Sequence, residues 1–164
     1  MKPFLYVVFI CFTLLSCKSQ PEPTQFTTEA LNDTFINLEG NKVTFQSILN
    51  QHKNKTIVID VWASWCGDCI KGMPKVKALQ MAYPQAEYVF LSLDKTVKAW
   101  KRGIGKYKVK GDHYFMQSGW KGDFATFLNL DWIPRYMVID PNQNISVFNA
   151  ITANDTKIIK RLTK

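Results

Sequence analysis

Residues 56–62, Thr-Ile-Val-Ile-Asp-Val-Trp, and residues 65–69, Trp-Cys-Gly-Asp-Cys, decide the fold of this chain. The first segment is almost continuously apolar, which is typical of a strand covered on both faces. The residues that follow the second segment predict a helix to about Ala82, where Tyr83-Pro84 ends it. Two cysteines spaced C-x-x-C between a strand and a helix N-terminus are the arrangement that reversible thiol–disulfide chemistry needs.

The beginning of the chain has the pattern of an export signal. Lys2 precedes an apolar run over residues 4–15, which as a helix would span roughly 18 Å and is too short for a bilayer core of about 30 Å. Residues 14–17, Leu-Leu-Ser-Cys, resemble a bacterial lipobox. We therefore expect a lipoprotein signal peptide over residues 1–16, lipidation of Cys17 and a polar tether to residue 30; the alternative is an ordinary signal peptide with an incidental Cys17.

The remaining cysteines indicate a redox centre. Cys11 would leave with the signal and Cys17 would carry lipid, so that only Cys66 and Cys69 remain in the folded part. In an oxidising, exported location, a lone C-x-x-C pair favours a redox centre over a structural staple. Zinc is disfavoured because a site needs about four ligands and the chain has only two histidines. We expect no metal and no cofactor.

The net charge of +8 is concentrated in one segment. Seven cations and no acids occur over residues 95–110: Lys95, Lys98, Lys101, Arg102, Lys106, Lys108 and Lys110. The favoured interpretation is a solvated face, and the alternative is attraction to anionic lipid or to an acidic partner. We expect no nucleic-acid partner for an exported protein.

The rest of the chain predicts an α/β sandwich with a mixed sheet. A second buried strand over residues 88–94 follows the helix, which implies a parallel pair of strands. The other expected elements are strands at 35–38 and 43–45, a helix at 97–102 ending at Gly103, a strand at 113–116, a helix capped by Asp123, strands at 135–139 and 145–148, and a terminal helix from Asn154 or Asp155.

Three residues outside the motif are candidates for the same chemistry. An acid in a buried strand is costly without a task, so Asp60 is a candidate proton acceptor for Cys69; the alternative is a structural, hydrogen-bonded Asp. Pro134 directly precedes a strand. A cis bond there would present the Ile133 backbone to a bound peptide, and the alternative is a trans proline at a strand edge. Cys66 is the expected nucleophile and Cys69 the buried resolving thiol.

Together, Asp60, the WCGDC motif, Pro74 and Ile133-Pro134 resemble the thioredoxin fold over about residues 31–164. The N-terminal hairpin and the signal resemble the membrane-anchored TlpA/ResA-type branch. The resemblance implies a thioredoxin-like α/β fold with an N-terminal β-hairpin extension. It also implies attack by Cys66, resolution by Cys69, and substrate contact through Trp65, Ile133, cis-Pro134 and Arg135.

Two positions depart from this branch. Cytochrome-maturation members usually carry Glu three residues after the second cysteine, where this chain has Gly72, which weakens an assignment to cytochrome c maturation. A small or hydroxyl residue often follows the cis-proline, where this chain has Arg135. Arg135 could favour acidic partners or point to solvent.

The sequence therefore predicts a thiol–disulfide oxidoreductase that reduces protein disulfides. We expect it to be a monomer held by lipid at Cys17 to a bacterial membrane in the cell envelope, facing the periplasm, with an electron-donor thiol protein as a second partner. The alternatives are a thiol peroxidase-like activity, although no P-x-x-x-T-x-x-C pattern precedes Cys66, and a non-enzymatic metal- or partner-binding module.

Overall fold

The computed structural model describes residues 21–163. The expected signal peptide and the lipidation site at Cys17 lie outside the described residues, so both stay predictions. Within residues 21–163, no helix is long and apolar enough to cross a membrane.

A seven-stranded mixed sheet forms the centre of the molecule, with strand order β2-β1-β5-β4-β3-β6-β7. Its strands are β1 (Thr34–Ile36), β2 (Lys42–Thr44), β3 (Ile57–Trp62), β4 (Glu87–Ser92), β5 (Asp112–Phe115), β6 (Arg135–Ile139) and β7 (Ile145–Ala150). Every residue of β3 and of β6 is buried, which agrees with the apolar sequence that predicted a strand covered on both faces.

Within residues 21–163, six α-helices and a short 3₁₀ helix precede, connect or follow the strands. They are α1 (Thr28–Asn32), α2 (Phe45–Gln51), α3 (Gly67–Ala82), α4 (Val97–Tyr107), the 3₁₀ helix Gly119–Lys121, α5 (Asp123–Phe127) and α6 (Thr156–Leu162). The structure confirms the thioredoxin-like α/β fold, with the β1–β2 hairpin at one edge of the sheet.

The register of the central strands fixes which side chains share a face. β3 pairs with β4 in parallel, as predicted from the strand–helix–strand order, and with β6 antiparallel. Asp60 lies opposite Phe90 of β4 and Tyr136 of β6. Because directly paired residues point to the same side of a sheet, these three side chains form a row on one face.

Helices α3 and α4 pack on that face. A Cβ at Gly72 of α3 would lie 3.3 Å from the Tyr136 hydroxyl, and a Cβ at Gly103 of α4 would lie 3.3 Å from the Trp62 ring. The buried Tyr88 hydroxyl also donates to the Leu79 carbonyl of α3. The row that contains Asp60 is therefore covered by the helix that carries both cysteines.

The opposite face is closed by a cluster of phenylalanines. Phe45 of α2 and Phe124 of α5 have ring centroids 4.4 Å apart, and Phe26 packs against both. Ile145 of β7 donates a backbone hydrogen bond to Thr24. Thr24 and Phe26, which lie in the segment expected to be a tether to residue 30, are thus packed on the domain whose start was expected at residue 31.

Three local expectations were wrong, each for a physical reason. Helix α2 was missed because Phe45 was assigned to a strand, whereas the Thr44 hydroxyl caps a helix there. Helix α4 does not end at Gly103, because that glycine allows a close approach to Ser64 rather than a turn. Helix α5 is preceded by Gly122 as its N-cap, and Asp123 is its first residue.

Candidate active site

The two cysteines form a disulfide where β3 passes into α3. Their sulfurs are 2.12 Å apart and their Cα atoms 5.3 Å apart. Cys66 is the N-cap of α3, and the backbone N–H of Cys69 donates to its sulfur at 3.0 Å. An N–H aimed at this sulfur favours a negative charge on it once the disulfide is reduced.

Burial distinguishes the two sulfurs. Cys66 is 6% exposed, whereas Cys69 is 1% exposed and lies inside the first turn of α3. The surface groove described below is lined by Cys66 and not by Cys69. A partner that enters this groove therefore meets Cys66 first.

Ile133 and Pro134 lie against the disulfide from β6. The Ile133–Pro134 peptide bond is cis, which settles the geometry that the sequence left open. The Ile133 carbonyl oxygen is 3.6 Å from the Cys66 sulfur. This backbone is thus placed where a peptide reacting at Cys66 would run.

A groove of about 310 Å³ lies over the disulfide and is walled by aromatic side chains. Trp65, Trp120 and Trp132 all line it, and all three are substantially exposed. The sequence analysis included Trp65 but missed Trp120 and Trp132. Trp132 directly precedes Ile133, which was an available signal, whereas Trp120 comes from the distant 3₁₀ helix and had none.

Arg135 does not behave as either sequence hypothesis proposed. It is buried and outside the lining of the groove, so it neither points to solvent nor offers its charge to a partner. Its guanidinium donates to the Leu128 carbonyl at 3.0 Å and to the Asp131 carboxylate at 3.4 Å. Burial lowers the pKa of Arg135, and Asp131 partly opposes that effect. Arg135 therefore braces the loop that carries Trp132 and Ile133.

Asp60 is buried in β3, six residues before Cys66. Neither of its carboxyl oxygens has a hydrogen-bond partner of good geometry among the described residues. Burial raises the pKa of Asp60 to about 8, and the neighbouring Tyr136 hydroxyl acts in the opposite direction. A carboxyl group with this pKa can gain or lose a proton near neutral pH.

Tyr136 is the residue beside Asp60 that the sequence analysis missed. Its side chain is buried, and burial followed by the charge of Asp60 raises its pKa. Its hydroxyl lies under Gly72, where an added Cβ would be only 3.3 Å away. Tyr136 and Gly72 also line a second groove of about 270 Å³ beside α3. Tyr136 thus lies between the buried Asp60 and this groove.

The arrangement suits exchange of a disulfide. It combines an accessible sulfur, a buried second sulfur and a buried acid with a raised pKa. Within residues 21–163, no group of three or more His, Cys, Asp or Glu side chains is placed to hold a metal ion.

Sequence comparisons identify similar proteins. A family model described as thioredoxin-like matches residues 54–145, more than half of the chain. The thiol-disulfide oxidoreductase ResA of Bacillus thuringiensis is 31% identical over 91 residues, which cover 54% of this chain and 50% of that protein. The F-type chloroplast thioredoxin of Pisum sativum is 41% identical over 56 residues, 34% of this chain and 30% of that protein. The chain spans about half the length, or less, of these curated relatives.

Structure comparisons cover more of the chain. The solution structure of a candidate thiol-disulfide oxidoreductase from Bacteroides vulgatus has a TM-score of 0.66 at 27% identity. This superposition covers 92% of this chain and 91% of the other chain. A thiol-disulfide oxidoreductase from Bacteroides fragilis has a TM-score of 0.67 at 20% identity. This superposition covers 82% of this chain and 97% of the other chain. The second similarity shows the shared fold alone.

Proposed function

The chain belongs to the thioredoxin-like family, and we propose that it is a thiol–disulfide oxidoreductase that reduces disulfides of other proteins. The observation that carries the proposal is the Cys66–Cys69 disulfide, whose first sulfur lies 3.6 Å from the Ile133 carbonyl at the floor of a peptide-sized groove. The relatives named above as oxidoreductases support the same reaction class.

The reaction has two exchange steps. The Cys66 thiolate attacks one sulfur of a substrate disulfide, the substrate S–S bond breaks, and the released substrate thiolate takes up a proton. The Cys69 thiolate then attacks the Cys66 sulfur, which forms the Cys66–Cys69 disulfide and releases the second substrate thiolate. Two electrons pass to the substrate, and a donor dithiol protein returns two electrons to the Cys66–Cys69 pair.

Asp60 supports the second step. Cys69 is buried and must lose its proton before it can attack, and a buried carboxyl group with a pKa of about 8 is suited to accept that proton when ionised. The neighbouring Asp68 carboxylate disfavours a thiolate on the pair, although Lys71 lies 3.5 Å from it. A protein that stabilises its reduced form weakly is a better reductant than oxidant.

The location and partners form part of the same proposal. The lipobox-like residues 14–17 support a lipid anchor at Cys17 in a bacterial envelope, with the domain facing the periplasm as a monomer. Lipidation is tested by mass spectrometry of the mature chain, where a Cys17→Ser variant would lose both the lipid mass and the membrane fraction. A mature soluble chain with an unmodified Cys17 would overturn this anchor.

Trapping distinguishes the proposed reaction from simple partner binding. In the Cys69→Ser variant the second step is blocked, so mixed disulfides with substrate and donor proteins should accumulate through Cys66. The Cys66→Ser variant should trap nothing and reduce no insulin disulfide. Insulin reduction that survives in Cys66→Ser, or stoichiometric metal binding without disulfide reduction, would overturn the proposal.

A further inference from the structure

The cations of α4 face solvent next to the disulfide. Lys98, Arg102 and Lys106 are spaced four residues apart and are all exposed, so they form one row along the helix surface. Lys95 precedes the helix and is also exposed. We call these four residues the α4 cationic face. None of them forms an ion pair with a carboxylate of residues 21–163.

Helix α4 is held tightly against the active-site loop. A Cβ at Gly103 would lie only 2.5 Å from the Cβ of Ser64, so the glycine permits an approach that other residues would prevent. The Tyr107 hydroxyl donates to the Ser64 carbonyl at 3.4 Å. The cations of α4 are therefore fixed relative to Cys66, two residues beyond Ser64.

A groove lies between this face and the active-site loop. It has a volume of about 450 Å³, and its lining includes Trp65, Lys95 and Arg102. Trp65 also walls the groove that contains Cys66. The two grooves thus share Trp65, and a chain segment bound over the disulfide can continue past Trp65 onto the cations.

The carboxylates near this path are already engaged. Asp94 in the cationic groove is buried and accepts hydrogen bonds from Ser64 and Ser92. In the groove over the disulfide, Asp68 lies beside Lys71 and Asp131 beside Arg135. The hydrogen bonds to Asp94 come from uncharged groups, so its formal charge offsets one of the four cations of the α4 cationic face, and the path remains net positive.

We propose that the α4 cationic face docks an acidic segment of the protein whose thiol or disulfide reacts at Cys66. This inference rests on the proposed function and adds the charge of the partner. A membrane surface is the other class of anionic occupant, but a bilayer against this face would cover the groove that the reacting protein must enter. Complementary charge accelerates encounter by about 10- to 1,000-fold and is screened by salt.

Three synthetic peptides test the charge preference. Each contains the same internal disulfide, flanked by four Glu, four Gln or four Lys residues, and each is mixed with the reduced protein. At an ionic strength of about 0.01 M, we expect the Glu peptide to react about tenfold faster than the Gln peptide and the Lys peptide to react slowest. The differences should largely vanish at about 1 M salt, where the Debye length is about 3 Å.

A matched pair of double variants locates the effect. Lys98→Gln with Arg102→Gln should bring the rate for the Glu peptide close to the rate for the Gln peptide measured with the same variant. Lys160→Gln with Arg161→Gln removes the same charge from exposed positions of α6 and should leave all three rates nearly unchanged.

The outcomes separate the two proposals. Equal rates for the three peptides, or equal losses in both double variants, would overturn the docking inference while leaving reduction of the Gln peptide intact. Loss of binding to phosphatidylglycerol vesicles in the α4 variant, with unchanged peptide rates, would assign the face to a membrane and also overturn the inference. No reduction of any peptide would instead overturn the proposed function.

Discussion

Asp60 and Tyr136 lie directly opposite each other on β3 and β6, with both side chains buried on the sheet face that α3 covers. The Tyr136 hydroxyl lowers the pKa of Asp60, while burial raises it to about 8. The pair therefore sets the pH range in which the proposed proton acceptor is ionised.

The Tyr136→Phe variant should shift the pH dependence of catalysis upward. Without the hydroxyl, the ionised form of Asp60 loses a favourable contact, so the pKa of Asp60 should rise further. The measurement is the pH profile of insulin reduction. Tyr88→Phe is a suitable control, because this buried hydroxyl donates to the Leu79 and Tyr83 carbonyls and Tyr88 pairs with Val58 rather than with Asp60; its profile should not move.

The Asp60→Asn variant should be more stable than the wild type at alkaline pH. Because the pKa of Asp60 is raised to about 8 in the folded protein and is near 3.9 when unfolded, the folded state holds this proton more tightly. The stabilisation that the raised pKa of Asp60 gives the folded state is complete below about pH 4, and it is lost as the pH rises to about 8. The corresponding loss in the free energy of unfolding is at most roughly 6 kcal/mol.

Denaturant unfolding of the oxidised protein at several pH values measures this effect. The wild-type free energy of unfolding should fall between about pH 4 and pH 8 relative to that of Asp60→Asn. Parallel pH dependences in the two proteins would contradict a raised pKa. Insulin reduction by Asp60→Asn should be slower at neutral pH, since the proton acceptor is lost.

The Gly72→Ala variant should reveal contact with Tyr136. Alanine in place of an interior helix glycine contributes about 1 kcal/mol of stability by itself, but its Cβ would lie 3.3 Å from the Tyr136 hydroxyl. We expect the stability gain in the wild-type background to be smaller than the gain in the Tyr136→Phe background. Equal gains in a double-mutant cycle would show that residues 72 and 136 do not interact.

The Gly103→Ala variant should destabilise the protein. The added Cβ would lie 2.5 Å from the Ser64 Cβ, so that α4 or the active-site loop must move. Gly105→Ala is the matched control in the same helix, because its Cβ meets no atom within 4 Å and should stabilise by up to about 1 kcal/mol. Thermal unfolding of both variants compares them, and a stabilised Gly103→Ala would disprove the close packing.

The Trp120→Ala variant should affect large substrates selectively. Trp120 lines the groove over the disulfide from the 3₁₀ helix and belongs to neither cysteine's segment. We therefore expect kcat/KM for insulin to fall while the rate with a small aromatic disulfide stays nearly constant. Met81→Ala, which removes a well-exposed apolar side chain from the far end of α3, serves as the control. Equal losses with both substrates would indicate damage to the disulfide itself.

Local sequence patterns were sufficient for the central part of the fold and for the reacting atoms. The apolar run that contains Asp60 predicted β3, and the C-x-x-C spacing placed Cys66 and Cys69 at the start of α3, because both signals act within a few residues of each other. The same local character explains the errors. Gly103 was interpreted as a helix end, although the structure places a glycine there because the distant Ser64 leaves no room for a Cβ atom.

Tertiary structure decided everything that depends on strand pairing and on loops meeting at the disulfide. Tyr136 and Asp60 are far apart in sequence, and only the β3–β6 register brings them together. Trp120 reaches the groove from the 3₁₀ helix, and Arg135 is buried against Leu128 rather than exposed. The sequence alone determined which two cysteines form the disulfide at the start of α3, because that arrangement depends on neighbouring residues. The residues that set the pKa of Asp60 and those that wall the groove over the disulfide are brought together by long-range packing, which no local pattern encodes.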